Sequence, residues 1–494
     1  MTVGHRKTIV LLGMMSKMPV AGNMWLVVQY LLGFQRLGFD VYYVEAHGIT
    51  PTKLMAHRDD DGAANAAAFI AGVMQRFDLS DRWAFHSVHD GRYYGLSESQ
   101  LAALYRSADL LINLHGSTRP LPEQSATGRL VYLETDPVQL QVDLYNNRPA
   151  ALELLSPHVA FFSWGLNYGQ PDCRVPQDAR FQFKPTCPPV LLDVWGAPAD
   201  TRPYFTTVGN WRQRGQVVLR GETYYWSKDR EFRKFLDLPS RAGRQFELAL
   251  SSSSYRAEDV RLLEEHGWLV RDSLEFSRDL DAYRDYIGTS RGEFTVAKDQ
   301  NVRLRSGWFS ERSATYLAAG RPVITQDTGF GSVLPTGEGL FAFSDLDDAA
   351  GAVAAVNADH ARHSRAASEI ARQHFSHEVV LSRLLADAGV PLAQVQRRPS
   401  PPAPADEDGG GLIVPGDAPP TRTRLEILHG QREPGDPLEA EFAAAKEFIF
   451  IGRVQVFAGQ GFGVEPDGVF PEVGRSGAIA GLLEFQMFAV LGHR

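Results

Sequence analysis

Short, continuous apolar runs alternate with helical stretches from the first residues onward, and that alternation decides the fold class. KTIVLLGM reads as a strand buried on both faces, AGNMWLVVQYLLGFQRLG as a helix stopped by Gly38, and FDVYYVEA as the next strand. SESQLAALYRSA (helix), DLLINLHG (strand) and GRLVYLETDP (strand) continue the series. Strands separated by helices pair in parallel, so the chain is α/β, with ligands expected at the carboxyl ends of the strands. The pattern loosens around residues 150 to 200, where an interdomain connection is expected. It then resumes with YFTTVGNW, QFELALSS, AEDVRLLEEHG, WLVRDS, GEFTVAKD, ERSATYLAAG, RPVITQD and GLFAFSD. A last long helix is expected over AAGAVAAVNADHARHSRAASEIARQHF, continuing into HEVVLSRLLADAG.

Two such series predict two Rossmann-like domains facing a cleft, over 1–195 and 196–395. The Pro, Gly and acid-rich stretch 396–422 has the composition of a linker, and 423–494 forms an appendage to which no fold is assigned. A chain of 494 residues is long enough for two or three cores.

A formal net charge of −9 argues against a broad nucleic-acid face. The two cysteines, Cys173 and Cys187, form neither a CxxC motif nor a Cys/His cluster, so no disulfide framework or zinc site is indicated and a cytoplasmic location is expected. No apolar run approaches the ~20 residues that span a bilayer, which leaves only peripheral membrane contact open. The DxD string in HRDDDG lies in a polar loop, and SDLDDAA suits a helix start, so no metal is expected.

The chemistry concentrates in SGWFSERSATYLAAGRPVITQDTGF, residues 306 to 330. Ser310 can cap a helix beginning at Glu311, whose first N–H groups and dipole suit a phosphate, with Arg312 and Ser313 adding donors. The same residues also fit an ordinary capped helix, stopped at Gly320 before a strand opened by Pro322. The first loop lacks GxGxxG, which removes the dinucleotide fingerprint of a dehydrogenase.

YLAAGRPVI, TQDTGFG and GEGLFAFSDLDDAAGAVAAV resemble the donor half of GT-B glycosyltransferases of the family-4 kind, in an uncharacterised bacterial branch. The match covers Ala318, Gly320, Pro322, Val323, Glu338 and Gly339, and the general organisation extends it over roughly residues 6 to 390. Two signature glutamates of that family fall on Gly307 and Thr315, and Glu311 is the nearest substitute for the second, whose family role is to hold ribose hydroxyls.

The resemblance implies a nucleotide-sugar co-substrate, a UDP-sugar first, no other cofactor, and a small-molecule or glycan acceptor. It places Gly22 near the donor phosphates, with Gly209, Arg212 and Lys228 around the diphosphate, and Asp327, Thr328 and Gly329 toward the donor sugar. Arg212, Arg214, Lys228 and Lys298 would equally serve as solvated charges. Strand-end groups that could move a proton are Glu45, His47, His115, Glu134 and Asp136, of which His115 and Asp136 are the chosen catalytic pair. A UDP-sugar 2-epimerase and a non-catalytic nucleotide-sugar binding protein are the rival functions.

Overall fold

The computed structural model describes residues 6–196, 201–243 and 245–390, with two short paired strands, Arg453–Gln455 and Glu484–Gln486. The expected linker and the rest of the expected appendage lie outside the described residues.

The first sheet contains β1 (Thr8–Leu12), β2 (Asp40–His47), β3 (Trp83–Ser87), β4 (Arg92–Gly95), β5 (Leu110–Leu114), β6 (Leu130–Glu134), β7 (Ala160–Ser163) and β8 (Phe183–Pro185). Their order is β4-β3-β2-β1-β5-β6-β7-β8, all parallel except β4. Leu12 stands opposite Val44 on one side and Asn113 on the other, so β1 is central. The sheet continues through β7 and β8, which makes the connection narrower than the loosened sequence pattern suggests.

The second lobe begins with β9 (Phe205–Gly209). A hairpin of β10 (Gln216–Leu219) and β11 (Glu222–Tyr225) follows, then β12 (Phe246–Leu250), β13 (Leu269–Asp272), β14 (Gly292–Thr295), β15 (Val323–Gln326) and β16 (Leu340–Phe343). Its wholly parallel six-stranded sheet runs β13-β12-β9-β14-β15-β16. The two sheets belong to one compact unit, and residues at their strand ends meet across a cleft. This is the GT-B arrangement of two Rossmann-like halves.

Apolar packing joins the lobes. The first helix, Ala21–Arg36, is buried along most of its length, and its Trp25 lies 5.3 Å from the Trp195 ring while donating from Nε1 to the Leu280 carbonyl at 3.0 Å. The last helix, His377–Asp387, packs on the same element. A Cβ on Gly33 would stand 2.5 Å from a Leu381 methyl carbon, so glycine permits the close approach. The stretch read as one long helix is broken. Asp359 closes the helix Leu346–Ala358 and caps His360–Ile370 by accepting from the Arg362 N–H, and Ser376 caps the last helix after a π-helical turn.

Candidate functional site

The helix Glu311–Ala318 starts where the sequence places it, with Ser310 in extended geometry at the cap position. The Ser310 side chain makes no capping bond, and the N–H groups of Glu311, Arg312 and Ser313 have no acceptor among the described residues. The Ser313 hydroxyl is also buried without a partner among the described residues. An uncapped first turn with a converging hydroxyl is an anion-binding geometry.

Lys228 is 9% exposed, and its ammonium makes no hydrogen bond or ion pair among the described residues. Its ammonium lies 5.6 Å from the centre of the Trp308 ring. Burial, and then the Arg312 charge, push its pKa well below the ordinary lysine value. Lys298, in the turn after β14, pairs with Asp136 across the lobes at 2.5 Å, leaving Asp136 Oδ1 buried without a partner among the described residues. Beside that pair, His115 sits in left-handed backbone geometry (φ 64°) with Nδ1 2.6 Å from the Thr135 hydroxyl and Nε2 unpartnered. Burial lowers the His115 imidazole to about 3, which keeps it neutral. Trp308 ties the groups together by donating from Nε1 to the Thr135 carbonyl at 3.1 Å.

Other expected residues have partners of their own. Arg312 donates to Glu293 Oε1 and the Val208 carbonyl, each at 2.6 Å, and to the Thr295 hydroxyl at 3.1 Å, so it braces β9 and β14 beside the uncapped helix start. This bond to Val208 brings Gly209 beside it, where a Cβ would meet open space. Arg212 turns to Asp259 at 2.6 Å. Asp327 accepts from Arg305 at 2.9 Å and from the Gly329 N–H at 2.8 Å, Thr328 donates to the Trp308 carbonyl, and Gly329 packs against Asn167. These three form a turn against the first lobe, and the Asp327 carboxylate is engaged within it. Gly22 lies against Tyr283, whose hydroxyl is pushed well above its ordinary range by burial and then by the nearby Glu311 carboxyl.

The two positions where the resembled signature carries glutamates are both enclosed in this structure. Gly307 has φ 78°, and a Cβ there would come within 2.1 Å of the Asn167 nitrogen, so no glutamate fits. Thr315 is fully buried and donates its hydroxyl to the Arg312 carbonyl one turn back at 2.7 Å. Glu311, expected to face the nucleotide, has a partner on the first helix. It accepts at 3.0 Å from Gln29 Nε2 of the first helix, while Gln29 Oε1 accepts from Leu191 N–H and Trp195 Nε1. The signal for Gln29 is in the sequence: it is a lone polar residue inside MWLVVQYLL.

Burial raises the Glu311 carboxyl to about 8, so it is largely neutral at pH 7 beside a turn suited to an anion. Because its folded pKa lies above the unfolded value, its contribution to stability falls as pH rises from the usual carboxyl range to about 8, and then levels. E311Q should therefore flatten that part of the stability profile, as read by melting temperature against pH, and fold normally at pH 7. An unchanged slope would show that Glu311 titrates normally.

Among the described residues no cluster of three or more His, Cys, Asp or Glu could hold a metal, and no helix is long and apolar enough to cross a membrane. No protein-family model matches the sequence, and no curated protein matches it. Among solved structures the chain is similar to HepE of Anabaena in complex with UDP and glucose, at 13% identity over 78% of this chain and 100% of that one, TM-score 0.47. It is also similar to an alpha-glucosyltransferase in complex with UDP and a 13-mer DNA, at 12% identity over 78% and 100%, TM-score 0.48. A third is AviGT4, a glycosyltransferase involved in avilamycin A biosynthesis, at 11% identity over 78% and 97%, TM-score 0.42. The site's chemistry rests on its own geometry and not on these likenesses.

Proposed function

We propose that the protein is a metal-independent glycosyltransferase that moves a sugar from a nucleoside-diphosphate sugar, a UDP-sugar first, to a small-molecule or glycan acceptor in the cytoplasm. The observation that carries this is the unpaired, nearly buried Lys228 ammonium in the same charge cluster as Arg312, at the uncapped turn of Glu311 to Ser313. An isolated buried cation is costly, and a bound diphosphate would offset that cost through charge-assisted hydrogen bonds. Preorganised donors of this kind stabilise the charge that collects on a leaving diphosphate. The sugar would lie toward His115, Asp136 and Lys298, where the first lobe offers unpartnered acceptor and donor positions.

The test is calorimetric titration with UDP and UDP-glucose, paired with an assay of UDP released from UDP-glucose. Binding of both and steady UDP release are expected. Binding without release from any nucleotide-sugar would leave a binding protein, and formation of an isomeric UDP-sugar without acceptor would identify an epimerase.

A further inference from the structure

The groups of the candidate site are closed off from solvent. Lys228, Lys298, Asp136 and Ser313 are all buried, so a nucleoside diphosphate reaches them only if part of their surround moves. Trp308 is fixed in place, because it forms a backbone bridge with Gly165 and donates from Nε1 to the Thr135 carbonyl at 3.1 Å, both in the first lobe. A second indole covers Lys298: the centre of the Trp226 ring lies 5.1 Å from its ammonium.

Trp226 closes the neck of the β10–β11 hairpin, two residues before Lys228. Its N–H donates to the Gly215 carbonyl at 3.1 Å, and the Gln213 N–H donates to Ser227 Oγ at 3.1 Å. Gly215 has φ 133°, and a Cβ there would stand 2.5 Å from the indole, so the neck is built closely around that ring. Beyond the neck the hairpin joins neither main sheet. It extends from the second lobe and lays β10 on the first-lobe helix Gln139–Tyr145, which follows Asp136. Val217, Leu219 and Tyr224 are buried in one cluster with Leu140 and Leu144 of that helix, and at the tip the Arg220 guanidinium lies 5.6 Å from the centre of the Tyr145 ring.

A two-stranded hairpin with four residues a side is marginal by itself, so its seat decides whether it stays down. Its polar ties to its own lobe run from the Tyr225 N–H to Asp299 Oδ2 at 2.9 Å, and from the exposed Arg303 to the Thr223 carbonyl at 2.9 Å and Glu222 at 2.6 Å. Exposed pairs contribute little, and segments held mainly by a small apolar seat open before the sheets do. We propose that the β10–β11 hairpin is a lid. It lifts from the helix Gln139–Tyr145, turns at the neck between Gly215 and Ser227, and carries Trp226 off Lys298 to admit a nucleoside diphosphate to Lys228. This rests on the nucleotide site proposed above. With its neck in the second lobe and its seat on the first, the reseated lid spans the cleft beside the ligand.

Hydrogen exchange of the wild type with and without saturating UDP, and stopped-flow UDP binding to the wild type and V217S/L219S, test this. Without UDP, the β10 and β11 amides should exchange at least about 100-fold faster than those of β9 and β14, and UDP should slow them about 10-fold. UDP should both bind to and leave V217S/L219S about 10-fold faster, with Kd within about threefold of wild type, because a lid that is still mostly seated gates entry and exit alike. Hairpin amides that exchange only together with β9 and β14, or unaltered rates in a folded V217S/L219S, would overturn the lid. So would weaker affinity with no faster binding, the mark of a purely structural support. If the variant does not fold, exchange in the wild type decides alone. A wild type that binds no UDP overturns the nucleotide site itself, whereas UDP binding under a hairpin that never opens overturns only the lid.

Discussion

K228M should bind UDP about 10- to 100-fold more weakly than the wild type and melt at a higher temperature. The weakening follows from losing one charge-assisted hydrogen bond to a phosphate, worth about 1.5–3 kcal/mol. The gain in stability follows from the ligand-free environment. Lys228 is nearly buried and has no ion pair among the described residues, while Arg312 and Lys298 add like charge. Glu293 and Asp136 also act on it, but each is already paired, with Arg312 and Lys298 respectively. A methionine fills similar space without a charge to desolvate and retains contact with the Trp308 ring. Opposite signs for binding and stability mark a residue placed for a ligand, whereas a structural lysine would lose both together. Calorimetry and thermal melting on one preparation supply both values. Unchanged UDP affinity in a folded K228M would remove Lys228 from the phosphate site.

The architecture was legible in the sequence where local pattern determines it. Parallel strands buried on both faces, such as TIVLL and LLINL, read as continuous apolar runs, and Gly38 and Gly320 mark helix ends because both need positive φ. The polar edges were harder to see. β4 is partly exposed, and the β10–β11 hairpin turns on Arg220 and Gly221, both at positive φ, with strands too short to show a clear period. In the site, the helix start at Glu311 was legible because its residues are consecutive, but the capping bond expected of Ser310 is not made. The pairings Gln29–Glu311 and Asp136–Lys298 bridge 282 and 162 positions and depend on how the lobes meet, which no local pattern encodes. Glu293 left a trace, since a lone acid in a fully buried parallel strand requires a partner. That partner proves to be Arg312, a residue the sequence pattern assigns to the ligand.

R312M tests this reassignment, and its largest effect should be on folding. The Arg312 guanidinium meets Glu293 at 2.6 Å, and Glu293 is fully buried with one carboxylate oxygen lacking any partner. Removing the cation leaves Glu293, among the described residues, with only the Thr207 hydroxyl at 3.3 Å, and breaking a buried pair from one side costs about 3–5 kcal/mol. R312M also frees the Val208 carbonyl and the Thr295 hydroxyl, loosening β9 against β14 beside the helix start at Glu311. R312M/E293Q removes the stranded charge as well and should recover much of the stability, since replacing both members of a buried pair is far milder than removing one. A double-mutant cycle by chemical denaturation measures the coupling directly. Near-zero coupling, with R312M folded stably but unable to bind UDP, would return Arg312 to the ligand. Strong coupling, with UDP affinity largely kept in the double variant, would place Arg312 in the framework beneath the site and leave Lys228 and the helix amides to hold the phosphate.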